Sequence, residues 1–412
     1  MFVRTVQGAG ATPTLINCEF RDNTANLGAG LSRVGGSLSV KMHITECKFI
    51  NNQAIDGGGF YVLSNSGNQV ITINDCVFKG NYALLTGGAI SQEVSGNPLT
   101  LLISNCLFEE NNSPGDGSAI RRFNFLHSSQ IDFGFNLIEH CEFKYNDSAV
   151  AGGSGTISFI GDSLSLKNAI FDMNGEMMTQ GWIFSSNAKL LVDSCLVNHR
   201  ISSIMRGNIW LKNSWFTETQ GACEVRNNSS VFIENCIFDS NQHSTSYSYC
   251  LLSFTGVTGI VASSKFSVNY NDESGGCFFS INSILEYNNC LFERNFADKN
   301  GGVAYVAGSS YVTFANCTFF ANKSPIGNIA RMFNNSIAIF DNCIMSENYT
   351  EPDEHSIVQN TNATITLSHT LLDLPDCASI SNAPVTCGPG MLYLADPLFL
   401  DTAAADFRLH PC

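Results

Sequence analysis

Apolar residues in this chain fall in short alternating runs rather than in long stripes. Val70-Ile71-Thr72-Ile73, Ala89-Ile90-Ser91 and Tyr311-Val312-Thr313-Phe314 are rich in β-branched and aromatic residues, which is the pattern of short strands. No segment repeats apolar residues at i, i+3, i+4 and i+7 for long enough to make a helix. The runs sit in a frame set by one motif, Asn-Cys-x-Phe-x-x-Asn, followed by a step of two glycines and a small residue. Its copies include Asn17-Cys18-Glu19-Phe20 with Asn23, Cys47-x-Phe49 with Asn52, Cys76-x-Phe78 with Asn81, and Cys106-x-Phe108 with Asn111. Others are Cys141-x-Phe143 with Asn146, Cys236-x-Phe238 with Asn241, Cys290-x-Phe292 with Asn295, and Cys317-x-Phe319 with Asn322.

Weaker copies keep the frame: Ala169 and Ser264 stand where Cys is expected, Ser214 precedes Phe216, and Cys195, Cys343 and a trace near His369 complete the series. From Cys18 to His369 is 351 residues over 13 intervals, or 27 per repeat. A strand-plus-helix repeat of this length would need a Leu-x-x-Leu-x-Leu consensus, which the chain lacks. The expected fold is therefore all-β: a right-handed parallel β-helix solenoid of about 13–14 coils. It is expected over residues 1–375, with an irregular closing segment over 376–412.

Within the motif, Cys and Phe are two apart and point to one face of their strand, so both are expected inside, with Phe stacking on Phe of the next coil. The closing Asn is expected to take a left-handed turn and to hydrogen-bond its counterpart in the next coil. Gly-Gly, as in Gly87-Gly88-Ala89, is expected to let the backbone turn tightly. The 16 cysteines contain no Cys-x-x-Cys, so a zinc site is not expected. Most occur once per coil and read as buried free thiols filling the interior. Cys377 and Cys387 lie off the frame and are the best disulfide candidates; Cys412 has no evident partner.

Composition narrows the function classes. With 21 Lys+Arg against 36 Asp+Glu the net charge is −15, and no basic face is available for nucleic acid. No apolar run is long enough for a transmembrane helix, and no signal peptide opens the chain. Nine Asn-x-Ser/Thr sequons occur; four of them, at Asn111, Asn146, Asn322 and Asn348, are the inward Asn of the motif. The longest departure from the period lies between Cys106 and Cys141. It carries Arg121, Arg122, His127 and Asp132, and long insertions are where solenoids place function. These four residues form the candidate surface site. No catalytic, metal or cofactor site is expected.

Cys76-Val77-Phe78-Lys79-Gly80-Asn81 followed by Gly87-Gly88-Ala89-Ile90 resembles the repeats of chlamydial-type polymorphic outer-membrane proteins. It also resembles those of the wider pectin-lyase-like β-helix group. The likeness covers about residues 10–375. The stretch Ala395-Asp396-Pro397-Leu398-Phe399-Leu400-Asp401, with Asp406-Phe407-Arg408-Leu409, is similar to the closing segment of many secreted bacterial β-helix proteins. The resemblance implies an extracellular or cell-surface protein, read here as a fragment whose signal peptide and any anchor or barrel lie outside it. Its partners would be glycans or host-cell components. Many proteins of the group cleave acidic polysaccharides, but the chain has no Asp-Asp pair, Gly-His-Gly or Arg-Ile-Lys. A non-enzymatic, adhesin-like scaffold is the expectation; a polysaccharide lyase or hydrolase with a site assembled across coils is the alternative.

Overall fold

The computed structural model describes the chain except residues 1, 5–11, 35–39, 66–68, 96–98, 125–134, 147–154, 161–162, 175–182, 199–201, 220, 227–228, 244–249, 349–357, 382–384 and 411–412. The chain forms two compact units, residues 1–230 and 231–412. Each is a stack of parallel β-coils, and a typical coil contributes three strands. The first follows the glycine step, as in Phe60–Ser64 and Ile90–Val94; the second is longer, as in Gln69–Asn74 and Leu99–Ser104; the third is the three-residue Cys-x-Phe strand, as in Val77–Lys79 and Leu107–Glu109. Equivalent strands pair in register along each face, for example Phe49 with Phe78 and Phe78 with Phe108. Among the described residues, eight strands at the Cys-x-Phe position stack in the first unit and six in the second, where Leu392–Tyr393 adds one more. The only helical turn among the described residues is a 3-10 turn at Ala378–Ile380.

In-register stacking makes rows of identical residues. Phe20, Phe49, Phe78, Phe108, Phe143 and Phe171 stack face to face with centroids 4.6–4.9 Å apart, the spacing of neighbouring strands. In the second unit Phe238, Phe266, Phe292 and Phe319 do the same. Beside them runs a row of buried asparagines. Asn81 donates from Nδ2 to Asn111 Oδ1 at 2.9 Å and to the Phe49 carbonyl at 2.8 Å, while its Oδ1 accepts the Asn52 backbone N–H at 3.1 Å. Each amide in the row thus satisfies its capacity inside the protein.

The expected left-handed turn is displaced by one residue. The row asparagines do not have positive φ; the residues just before them do, such as Asp22 (φ 54), Asn51 (φ 52) and Glu110 (φ 56). A second left-handed residue precedes the Cys position, as at Asn17, Asp75 and Asn105. Two such corners isolate the Cys-x-Phe strand, and the row Asn, placed after the second corner, is aimed inward by it. The last copy centres on Thr370, because His369 is itself the left-handed corner (φ 50). At the glycine step Gly87 has φ +68, and a Cβ on Gly88 would stand 2.2 Å from the Ser118 carbonyl oxygen, so the step tolerates no side chain.

The thirteen free cysteines among the described residues are all buried except the half-buried Cys18, but they are more than apolar filling. Cys47, Cys76 and Cys106 each accept the backbone N–H of the Cys one coil earlier at 3.4 Å. Each also donates to a carbonyl two residues before it, at 3.1–3.2 Å. This corrects the expectation, and it explains the substitutes. Ser214, Ser264 and Thr370 accept the N–H of Cys195, Cys236 and Cys343 at 3.1, 3.1 and 3.3 Å. Changing Cys106 to Ser is therefore expected to cost less than about 1 kcal/mol. Changing it to Ala strands the Cys76 N–H and is expected to cost about 1–3 kcal/mol; denaturant unfolding of the two variants checks the order.

The closing segment folds onto the second unit. Strands Thr386–Cys387 and Leu392–Tyr393 each extend a face by one strand, and Cys377 and Cys387 are joined by a disulfide across them, Cα–Cα 6.2 Å. The antiparallel hairpin Phe399–Asp401 and Asp406–Leu409 then lies against the outer side of the Cys-x-Phe face. Phe399 and Phe407 pack on Phe320, centroids 6.0 and 5.0 Å. Arg294 donates to the Thr402 carbonyl at 2.6 Å and to Glu293, which is 2% exposed and also paired with Lys265 at 2.7 Å.

Candidate functional site

Side chains alternate in and out along the strands that follow the glycine step. In the first unit the positions facing away from the coil interior form two columns: Ser32, Tyr61, Ser91 and Arg121, the first three of them buried, and beside it Val34, Leu63, Glu93 and Phe123. Three of these converge. Tyr61 donates its phenol to Glu93 Oε2 at 3.1 Å, and Arg121 Nη1 donates to Glu93 Oε1 at 3.0 Å. The Arg121 guanidinium lies over the Phe123 ring, 4.9 Å from its centroid, in cation–π range. Burial first, and the Glu93 charge second, hold the Tyr61 phenol well above its ordinary range, so near neutral pH it is a donor and not a base. The arrangement offers oriented donors and an anchored carboxylate.

Arg121 and Arg122 are chain neighbours on one strand, so they face opposite ways. Arg122 was expected at the surface; it is instead fully buried, bonded to Gln92 Oε1 at 2.9 Å and the Leu99 carbonyl at 2.7 Å. It shares the inward column with Arg33, Val62 and Gln92, and Arg33, 1% exposed, bonds Gln69 in the same way. Each of these buried cations meets carbonyl oxygens of its own, Gln69 for Arg33 and Gln92 with Leu99 for Arg122, which makes them interior structure. His127 and Asp132 lie outside the described residues.

The second unit repeats the outward element with different neighbours. Phe279, Tyr305 and Arg331 form one column. The Phe279 and Tyr305 rings stack at 5.1 Å, and the Arg331 guanidinium lies 4.2 Å above the Phe333 ring. Arg331 Nη2 donates to Thr361 Oγ1 at 3.2 Å. Both units thus carry an Arg-x-Phe pair, guanidinium over ring, on the outer side of the same kind of strand. Neither Tyr61, Glu93 nor the second unit's row was found from the sequence.

Among the described residues no group of three or more His, Cys, Asp or Glu is placed to hold a metal ion. No helix among the described residues is long and apolar enough to cross a membrane. Of the sequon asparagines, Asn111, Asn146, Asn322 and Asn348 are buried in the amide rows, while Asn316, Asn334 and Asn362 are exposed; Asn227 and Asn228 lie outside the described residues.

Residues 155–319 match the model of a family described as the right handed beta helix region. The chain is a right-handed parallel β-helix repeat protein. No curated protein sequence matches this β-helix. Solved structures similar to it include the PL6 family alginate lyase AlyGC, at 10% identity over 90% of this chain and 80% of that one, TM-score 0.18. An arginine-to-alanine mutant of the same enzyme matches at 9% identity over 96% and 95%, TM-score 0.17. Overlaps this loose carry no residue of the lyase onto this β-helix.

Proposed function

We propose that this β-helix is an extracellular or cell-surface scaffold of adhesin-like kind, binding glycans or cell-surface components through the outward columns after the glycine step. The observation that supports this reading is the recurrence of the Arg-x-Phe pair in both units, at Arg121/Phe123 and Arg331/Phe333. A guanidinium held over a ring is packed on its planar face and fixed in orientation, and it already bonds oxygens there, Arg121 to Glu93 and Arg331 to Thr361. In the test, the whole chain is offered to a panel of oligosaccharides and to host cells. Saturable binding is expected, and Arg121→Ala and Arg331→Ala are each expected to weaken it about tenfold, or about 1.4 kcal/mol. Indifference to every surface, or binding untouched by both substitutions, overturns the proposal.

A second reading, a polysaccharide lyase or hydrolase, draws on the Tyr61–Glu93–Arg121 chain, which places a phenol, a carboxylate and a guanidinium together. Release of unsaturated or reducing sugars from pectin, alginate or glycosaminoglycans, lost in Tyr61→Phe, would support it. No release from any of them rejects it.

A further inference from the structure

The thiols of the first unit form an unbroken column, Cys18, Cys47, Cys76, Cys106 and Cys141, one per coil. The in-register pairing of the strands that follow places Cys76, Cys106 and Cys141 one coil apart, so their sulfurs succeed one another along the stack. Coils are about 4.8 Å apart. A thiolate–metal bond is about 2.3 Å, so one ion held in line between two thiolates spans about 4.6 Å, close to the coil spacing. The sulfurs lie along a line and not around a point, so no three of them can surround one ion, which excludes tetrahedral zinc. Backbone N–H groups already point at the sulfurs, 3.4 Å away, and would stabilise thiolates as they now do thiols.

We propose that this column is a binding site for thiophilic monovalent ions of the Cu(I) and Ag(I) class, each held linearly by the sulfurs of two adjacent coils. Soft thiolate ligands select such ions. Binding one ion displaces one proton from each of two thiols, forms two metal–sulfur bonds, and changes no oxidation state. The unit's remaining negative charge falls on the pair of sulfurs, where the backbone N–H groups meet it.

Serine is the natural substitute at this position, so adjacency can be altered without removing the hydrogen bond that the coil needs. Cys47→Ser with Cys106→Ser leaves Cys18, Cys76 and Cys141, none adjacent. Cys18→Ser with Cys47→Ser removes the same number of thiols but leaves Cys76, Cys106 and Cys141 adjacent. The reduced full chain is titrated anaerobically with Ag(I), and tightly held silver is counted after dialysis while circular dichroism follows the β-structure. The first variant is expected to hold one ion fewer than the second, with β-structure kept and with Zn(II) not taken up by this column. Equal silver counts, binding only as the β-structure is lost, or equal uptake of Zn(II) overturns the proposal. Should the first pair fail to fold, Cys76→Ser alone splits the column into Cys18–Cys47 and Cys106–Cys141. It is then expected to keep two ions, where a random thiol count predicts a proportionate loss.

Discussion

Asn111→Asp is expected to lower the unfolding free energy by about 3 kcal/mol at neutral pH. The wild-type amide donates to the Phe78 carbonyl at 2.8 Å and to Asn146 Oδ1 at 2.9 Å, and accepts from the Asn81 backbone and side chain. An aspartate keeps the acceptor but turns both donors into oxygens facing oxygens, in a site with no exposure. Each stranded partner costs about 1–3 kcal/mol, and the buried charge adds to this. Burial and facing oxygens raise the folded pKa of this Asp above its unfolded value of about 3.9. The folded state therefore holds the proton more tightly, and the loss is largest above the folded pKa and shrinks as pH falls through it. Asn111→Ala removes the same donors without the charge, so its loss should not recover in acid. Urea unfolding at two pH values separates the two variants; a loss in Asn111→Asp that is the same at both would contradict the account.

Phe108→Ala is expected to cost about 3–5 kcal/mol. The ring is fully buried and stacked on Phe78 at 4.9 Å and Phe143 at 4.8 Å, so truncation opens a cavity and removes two aromatic contacts, each worth about 0.5–1.5 kcal/mol. Phe108→Met should lose less, because Met345 occupies the same position in the second unit and is buried there. Denaturant midpoints of the two variants test this, and a Met variant as stable as the wild type would mean that the stack contributes only by filling space.

The fold was legible because two of its rules have short range. Cys and Phe two apart, repeated against a Gly-Gly step, specify a strand, its inner face and its end within about ten residues. Finer chemistry left weaker marks. The role of the Cys position as a hydrogen-bond acceptor was visible only in the choice of Ser214 and Ser264 as substitutes. The left-handed corner could not be separated from the neighbouring Asn, since corner and row asparagines look alike in sequence. The outward cluster was hidden by coil length. Tyr61 and Glu93 are 32 residues apart and Glu93 and Arg121 are 28. Along the amide rows the step runs from 28 to 35 residues in the first unit and from 26 to 28 in the second. A mean period of 27 cannot say which residues of successive coils meet. Arg122 was misplaced for a simpler reason: two adjacent arginines on a strand cannot both face solvent.

The asparagine row also has a direction. Every Nδ2 in it donates toward the coil that follows, from Asn81 to Asn111 to Asn146 to Asn174. In the second unit the row ends when Asn348 turns its free N–H to the carbonyl of its own Ser346 at 2.9 Å. Aligned amides polarise one another, so the two termini of a row are chemically opposite, one offering an acceptor and the other a donor. Coils can therefore be duplicated or deleted within a stack, but a segment inserted upside down would set carbonyl against carbonyl. A lineage of such proteins can change length by whole coils and still be barred from reversing any of them.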